Sequence, residues 1–158
     1  MGKFGTGQAI RRTEDQRFLT GSGRYTDDIT LPKQTYLHFF RSPYPHGRIS
    51  TLETEEARDF PGVIAVYTAD DLSAAGIRDV VGAAMPASSV SVARDALEQP
   101  PLARDRVRYV GEPVVAILAE SRSAARDAAE LVWMDLEEMP AVVTVDQASA
   151  EDAPLVHD

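Results

Sequence analysis

Val114-Val115-Ala116-Ile117-Leu118-Ala119 is an unbroken apolar run, and the residues after it change period twice. The run is short and rich in β-branched residues, so it reads as a strand buried on both faces. Ser121 or Ser123 can cap a helix reaching about Leu131, with Ala125, Ala128, Ala129 and Val132 at i, i+3, i+4 and i+7. Those alanines would let the helix lie close against a sheet. From Val132 the pattern alternates, with Val132, Met134 and Leu136 set against Trp133, Asp135 and Glu137, which is a strand. Pro140 ends it, Ala141-Val142-Val143 is short and extended, and Asp146 onward reads as a tail. Strands mixed with short helices define an α+β domain with a mixed β-sheet.

Upstream of the run, Gly111-Glu112-Pro113 breaks the apolar unit that starts at Val107-Arg108-Tyr109-Val110. A Gly and a Pro between strand segments imply a bulge or kink, or else a glycine that lets another backbone come close. Residues 79–101 are rich in Ala, Ser and Val, end in Pro100-Pro101, and show no firm element. Val63-Ile64-Ala65-Val66-Tyr67-Thr68 reads as a buried strand, and Thr68 can cap a short helix ended by Gly76. Thr54 can cap another brief helix over residues 54–60, stopped by Pro61-Gly62. Tyr36-Leu37-His38-Phe39-Phe40-Arg41 is an aromatic strand that ends at the turn Ser42-Pro43-Tyr44-Pro45-His46-Gly47, and Arg48–Leu52 is a second short strand. Residues 1–35 are rich in Gly, Arg and Asp and read as an extended N-terminal arm, with turns at Thr20-Gly21-Ser22-Gly23 and Leu31-Pro32. Such an arm gains little on ordering alone and should lie on something. The organisation is therefore an arm, 1–35, and one domain, 36–158.

The 158 residues, 44% apolar and 26% charged, suffice for one domain with a real core. There is no cysteine, which excludes disulfides, thiolate metal sites and a thiol nucleophile in this chain. The net charge of −9 divides unevenly. Residues 1–50 carry eight Lys/Arg against four Asp/Glu, and the rest carry eight against twenty-one. That balance argues against nucleic acid as a partner. No apolar run approaches the ~20 residues of a membrane span. Met1-Gly2-Lys3-Phe4-Gly5 lacks the apolar stretch of a secretory signal, so the expected location is cytoplasmic.

Sites of chemistry are sparse. His38, His46 and His157 match no helical metal-binding spacing, and His38 reads as a strand residue facing solvent. The acid pairs Glu14-Asp15, Asp27-Asp28, Asp70-Asp71 and Glu137-Glu138 are neighbours that usually point apart. Gly21-Ser22-Gly23 lacks the strand and helix of a dinucleotide fingerprint, and reads as a turn needing positive φ or close backbone approach. The residues alone give a domain without a self-contained active site.

A resemblance goes further. The stretch Arg12-Thr13-Glu14-Asp15-Gln16-Arg17-Phe18-Leu19-Thr20-Gly21-Ser22-Gly23-Arg24-Tyr25-Thr26-Asp27-Asp28-Ile29 resembles the opening of the large subunit of the molybdenum hydroxylases. That family comprises the aerobic carbon monoxide dehydrogenases, aldehyde oxidases and xanthine dehydrogenases. Further blocks stand in the family's order, among them Phe40-Arg41-Ser42-Pro43-Tyr44-Pro45-His46-Gly47-Arg48-Ile49, Tyr67-Thr68-Ala69-Asp70-Asp71-Leu72, Tyr109-Val110-Gly111-Glu112-Pro113-Val114 and Leu136-Glu137-Glu138-Met139-Pro140. Together they cover nearly the whole chain. Lys33-Gln34-Thr35, Tyr44 and Gly47 depart from the usual pattern, and residues 73–101 match poorly.

The resemblance implies the α/β-hammerhead fold and a structural role as the N-terminal domain, a fragment or split subunit, of such an enzyme. It implies molybdopterin cytosine dinucleotide with molybdenum in the full enzyme, and none of the catalytic, cofactor-binding or metal residues in this chain. The implied partners are the molybdopterin-binding domains or subunit and the iron–sulfur and FAD subunits. Arg12, Arg17, Arg41, Gly111, Glu112 and Pro113 are the interface candidates. The rival reading is a free-standing interaction or assembly module without catalysis. An isolated copy, with surface normally covered, should self-associate as a homo-dimer.

Overall fold

A computed structural model describes residues 12–77 and 100–156. These fall into two compact units that divide between residues 34 and 35. The first is not extended throughout. It holds a one-turn helix, α1 (Asp15–Leu19), and a 3-10 turn over Thr26–Asp28. The Phe18 and Tyr25 rings stack with centroids 5.4 Å apart, and the Arg17 guanidinium sits over Phe18. Of the two expected reasons for the glycines of this turn, positive φ is realised at Gly21, whereas Gly23 is crowded by a side chain rather than a backbone. Gly21 has a φ of +72°, and a Cβ on Gly23 would meet the Phe18 ring at 2.3 Å.

The second unit holds, among the described residues, the strands β1 (Tyr36–Arg41), β2 (Gly47–Glu53), β3 (Val63–Tyr67), β4 (Arg106–Val107), β5 (Pro113–Ala119) and β6 (Trp133–Glu138). Its helices are α2 (Glu55–Arg58), α3 (Ala69–Ala74), α4 (Arg122–Ala129) and α5 (Val145–Ala148). The apolar run 114–119 lies within β5, which is central in a sheet ordered β1-β5-β3 and pairs antiparallel with both neighbours. Val115, Ile117 and Ala119 are fully buried with Ala125, Ala128 and Ala129 of α4, in a cluster that includes Val66, Val107 and Val132. Ala116 packs instead with Ala69, Leu102, Phe39 and Leu72. The continuous hydrophobicity of the run thus reflects two buried faces.

The remaining strands form a second sheet, ordered β4-β2-β6 and again antiparallel. The described strands therefore make two antiparallel sheets where one mixed sheet was expected. Every described pairing is antiparallel, so none calls for a parallel crossover. Strand β3 corrects a second expectation. Among the described residues it is an edge strand with β5 as its one neighbour, and Ile64 is 50% exposed.

The capping signals mostly work. The Ser121 hydroxyl accepts the Ala124 N–H, and Thr68 and Asp71 form a reciprocal capping box on α3. Thr54 does not cap α2. Its buried hydroxyl accepts from Arg58 Nε at 3.2 Å instead. Helix α5 occupies part of what reads as a tail, held by a second capping box between Thr144 and Gln147. The loop expected at 79–101 lies outside the described residues but for Pro100 and Pro101.

Candidate interaction surface

Four of the six interface candidates meet where the β1–β2 turn abuts the β4–β5 turn. Gly111 has a φ of +90°, and the Glu112 N–H closes the turn onto the Tyr109 carbonyl at 3.2 Å. This is left-handed backbone, which glycine adopts without a Cβ penalty. No atom lies within 4 Å of where a Cβ would sit on Gly111. Among the described residues of this chain, then, no other backbone approaches Gly111 closely, and its positive φ is the local reason for a glycine. The bulge reading is realised nearby, because the β1–β5 register passes from Val115 to Pro113 and skips Val114.

The two turns are sewn together by backbone. The Gly111 N–H donates to the Ser42 carbonyl at 2.8 Å, and the Ser42 N–H donates to the Glu112 carbonyl at 2.9 Å. Arg41 adds a guanidinium hydrogen bond to the Gly111 carbonyl at 2.8 Å. Glu112 is only 3% exposed, and its carboxylate accepts the Arg108 N–H. The Pro113 carbonyl accepts from Ala103 at 2.7 Å. These four residues thus make a clasp whose polar groups face one another. Tyr44, Tyr109 and Val110 are the apolar side chains it leaves exposed, and sequence reasoning did not single them out. Aromatic residues inside Pro- and Gly-rich turns were the available signal. Arg12 and Arg17 belong to the first unit, where Arg17 pairs with Glu14.

His46 is 3% exposed, with Nδ1 donating to the Pro140 carbonyl at 2.7 Å. Its Nε2 is buried without a hydrogen-bond partner among the described residues. His38 is exposed on β1, the solvent-facing strand position expected of it. Of the acid pairs, Asp70-Asp71 is the one in which both carboxylates are seen in ion pairs, while Glu14 of the first pair meets Arg17. Asp70 meets Arg104 at 3.0 Å, and Asp71 meets Arg58 at 3.2 Å. The Thr68 N–H donated to Asp71 holds its pKa below the usual carboxylate value, helped by the Thr68 hydroxyl and Arg58 and opposed by desolvation. Among the described residues, no three His, Asp or Glu side chains converge on a point that could hold a metal.

A small α+β unit whose described strands make two antiparallel sheets, with two turns clasped at one end, is the class that fold and surface define. Residues 20–140 match the family described as aldehyde oxidase and xanthine dehydrogenase, a/b hammerhead domain, and the chain belongs to that family. It is 42% identical over 137 residues to the nicotine 6-hydroxylase large subunit of Paenarthrobacter nicotinovorans, covering 87% of this chain and 16% of that protein. It is 34% identical over 139 residues to the xanthine dehydrogenase molybdenum-binding subunit of Escherichia coli O157:H7, covering 88% and 18%. The solved CO dehydrogenase from Oligotropha carboxidovorans superposes with a TM-score of 0.76 at 36% identity, covering 94% of this chain and 17% of that one. The chain thus spans less than a fifth of the length of these relatives.

Proposed function

We propose that this chain is the non-catalytic N-terminal hammerhead domain of a molybdopterin-dependent hydroxylase, and that it docks against the cofactor-bearing part of the large subunit. One observation carries the reading. The match runs across residues 20–140 yet covers only 16–18% of the relatives' length, so the greater part of such a protein lies outside the matched region. No step through a molybdenum–pterin group is assigned to these residues.

The reaction of the whole assembly would insert oxygen from water into substrate and release two electrons and two protons. The electrons would pass to iron–sulfur and FAD subunits, with molybdopterin cytosine dinucleotide as the cofactor form and the cytoplasm as the place. Within it, residues 1–35 act as the docking arm, through Arg12 and Arg17. Residues 36–158 act as the platform. Arg41, Gly111, Glu112 and Pro113 hold the clasp in shape, and Tyr44, Tyr109 and Val110 present its apolar face. Isolated copies would pair through surface that the assembly normally covers.

The test is a chimera. This chain replaces the corresponding segment of the nicotine 6-hydroxylase large subunit, expressed with its partner subunits. Assembly, molybdenum content and turnover near those of the parent are expected, with neither molybdenum nor turnover for this chain alone. Stoichiometric molybdenum on the isolated chain would overturn the non-catalytic role. A chimera that folds but fails to assemble would favour the free-standing module.

A further inference from the structure

At the end of the β2–β6 ladder away from the clasp, a groove of about 600 Å³ opens between the β2–α2 and α4–β6 corners. One wall carries Leu131 and Trp133, the latter 64% exposed and the chain's only tryptophan. Glu53, Glu55 and Glu56 line one corner, and Glu130 lines the other. No Lys or Arg lines the groove, and none of the four glutamates forms an ion pair among the described residues. Trp133 is also out of character with its strand. The outward positions that come after it on β6 are Asp135 and Glu137, so an exposed indole there gains nothing from the fold.

We infer that this groove docks an extended, arginine-bearing segment of a partner polypeptide. A guanidinium stacks on an indole face and also forks onto carboxylates, so one arginine uses both features of the wall, whereas an ammonium offers only charge. The carboxylates stand on two separate corners, so a segment with several cations along it fits better than one small ion. The inference rests on the docking role proposed above for the identity of the partner, a neighbouring polypeptide of the same assembly. The groove itself is tested without that partner.

The probe is the hexapeptide (Gly-Arg)3, titrated into the full chain while Trp133 emission is monitored. Saturable binding that weakens as salt rises is expected. The fourfold Glu53→Gln, Glu55→Gln, Glu56→Gln, Glu130→Gln variant, all at exposed positions, should lose about tenfold or more in affinity. Trp133→Leu, measured by calorimetry, should lose about threefold. (Gly-Lys)3 should bind more weakly than (Gly-Arg)3. Circular dichroism confirms that each variant is folded. No saturation, equal affinity of the Gln variant, or equal binding of (Gly-Lys)3 would each overturn the assignment. Peptide failure beside a working chimera removes the groove alone, and peptide binding beside a failed chimera removes only the molybdenum-enzyme reading.

Discussion

Replacing Gly111 by Ala isolates one physical cost. Gly111 sits at φ +90°, and the space where its Cβ would point is empty to 4 Å. No steric clash contributes, so only backbone conformation and chain entropy matter. Holding an L-residue in the left-handed region costs about 1–2 kcal/mol. The stiffer unfolded chain returns about 0.4–1 kcal/mol. The net loss is about 1 kcal/mol, which lowers the melting temperature by about 2–4 °C for a chain of this size. Asn tolerates this conformation better, so Gly111→Asn should lose less. Gly47→Ala is the contrast, since its Cβ would stand 3.0 Å from the Glu137 carbonyl oxygen and meet the ladder itself. Urea denaturation of the three variants, monitored by circular dichroism, reads the differences. A loss above about 3 kcal/mol for Gly111→Ala would refute the reasoning, because strain in φ alone does not reach that size. An unchanged stability would equally refute it.

Other outcomes concern the core, the caps and the edge. Ile117→Ala empties the centre of β5, where the side chain is fully buried, and should cost about 2–5 kcal/mol in chemical denaturation. Asp71→Asn should destabilise the chain at neutral pH. Because the folded pKa of Asp71 is lowered, its contribution is present above the unfolded value and is lost as pH falls through the folded one. The gap between parent and variant should therefore close in acid, and a pH-independent gap between about pH 7 and about pH 2 would contradict this. Thr144→Ala removes half of the α5 capping box and should speed amide exchange over residues 145–148, by an amount equivalent to about 1 kcal/mol. Ile64→Lys places a charge on the exposed edge strand β3 and should reduce self-association in sedimentation equilibrium, with little change in melting temperature.

Much of the architecture was legible because local signals and packing agree. The run 114–119 has no polar face, so only a central strand could accommodate it, and Ala125, Ala128 and Ala129 mark the face of α4 that closes on it. Legibility fails where burial depends on a strand's place in the sheet. Val63–Tyr67 is as apolar as a buried strand, yet its composition cannot reveal that, among the described strands, it pairs with β5 on one side alone. Helix α5 was readable and missed, since Thr144-Val145-Asp146-Gln147 is the spacing of a capping box ahead of a very short helix. The clasp was half legible. Gly111-Glu112-Pro113 announces a break, but its partner, the Ser42 backbone, lies far away in sequence. The groove at Trp133 gave less warning, because its two corners join only through the β2–β6 register.

The order in which strands pair has a consequence for synthesis on the ribosome. Strands β1, β2 and β3 leave the exit tunnel first, and none of them pairs with another among the described residues. β1 and β3 both wait for β5, with Tyr36 finally opposite Ala119, and β2 waits for β4 and β6. A nascent chain ending near residue 77 therefore holds three strands with unpaired backbone and no sheet to join. Such delayed, non-local closure slows folding and leaves apolar edges open to wrong neighbours. Vectorial synthesis gives this domain no head start, and a nascent-chain chaperone has a defined interval in which to act, from the emergence of β1 to that of β6.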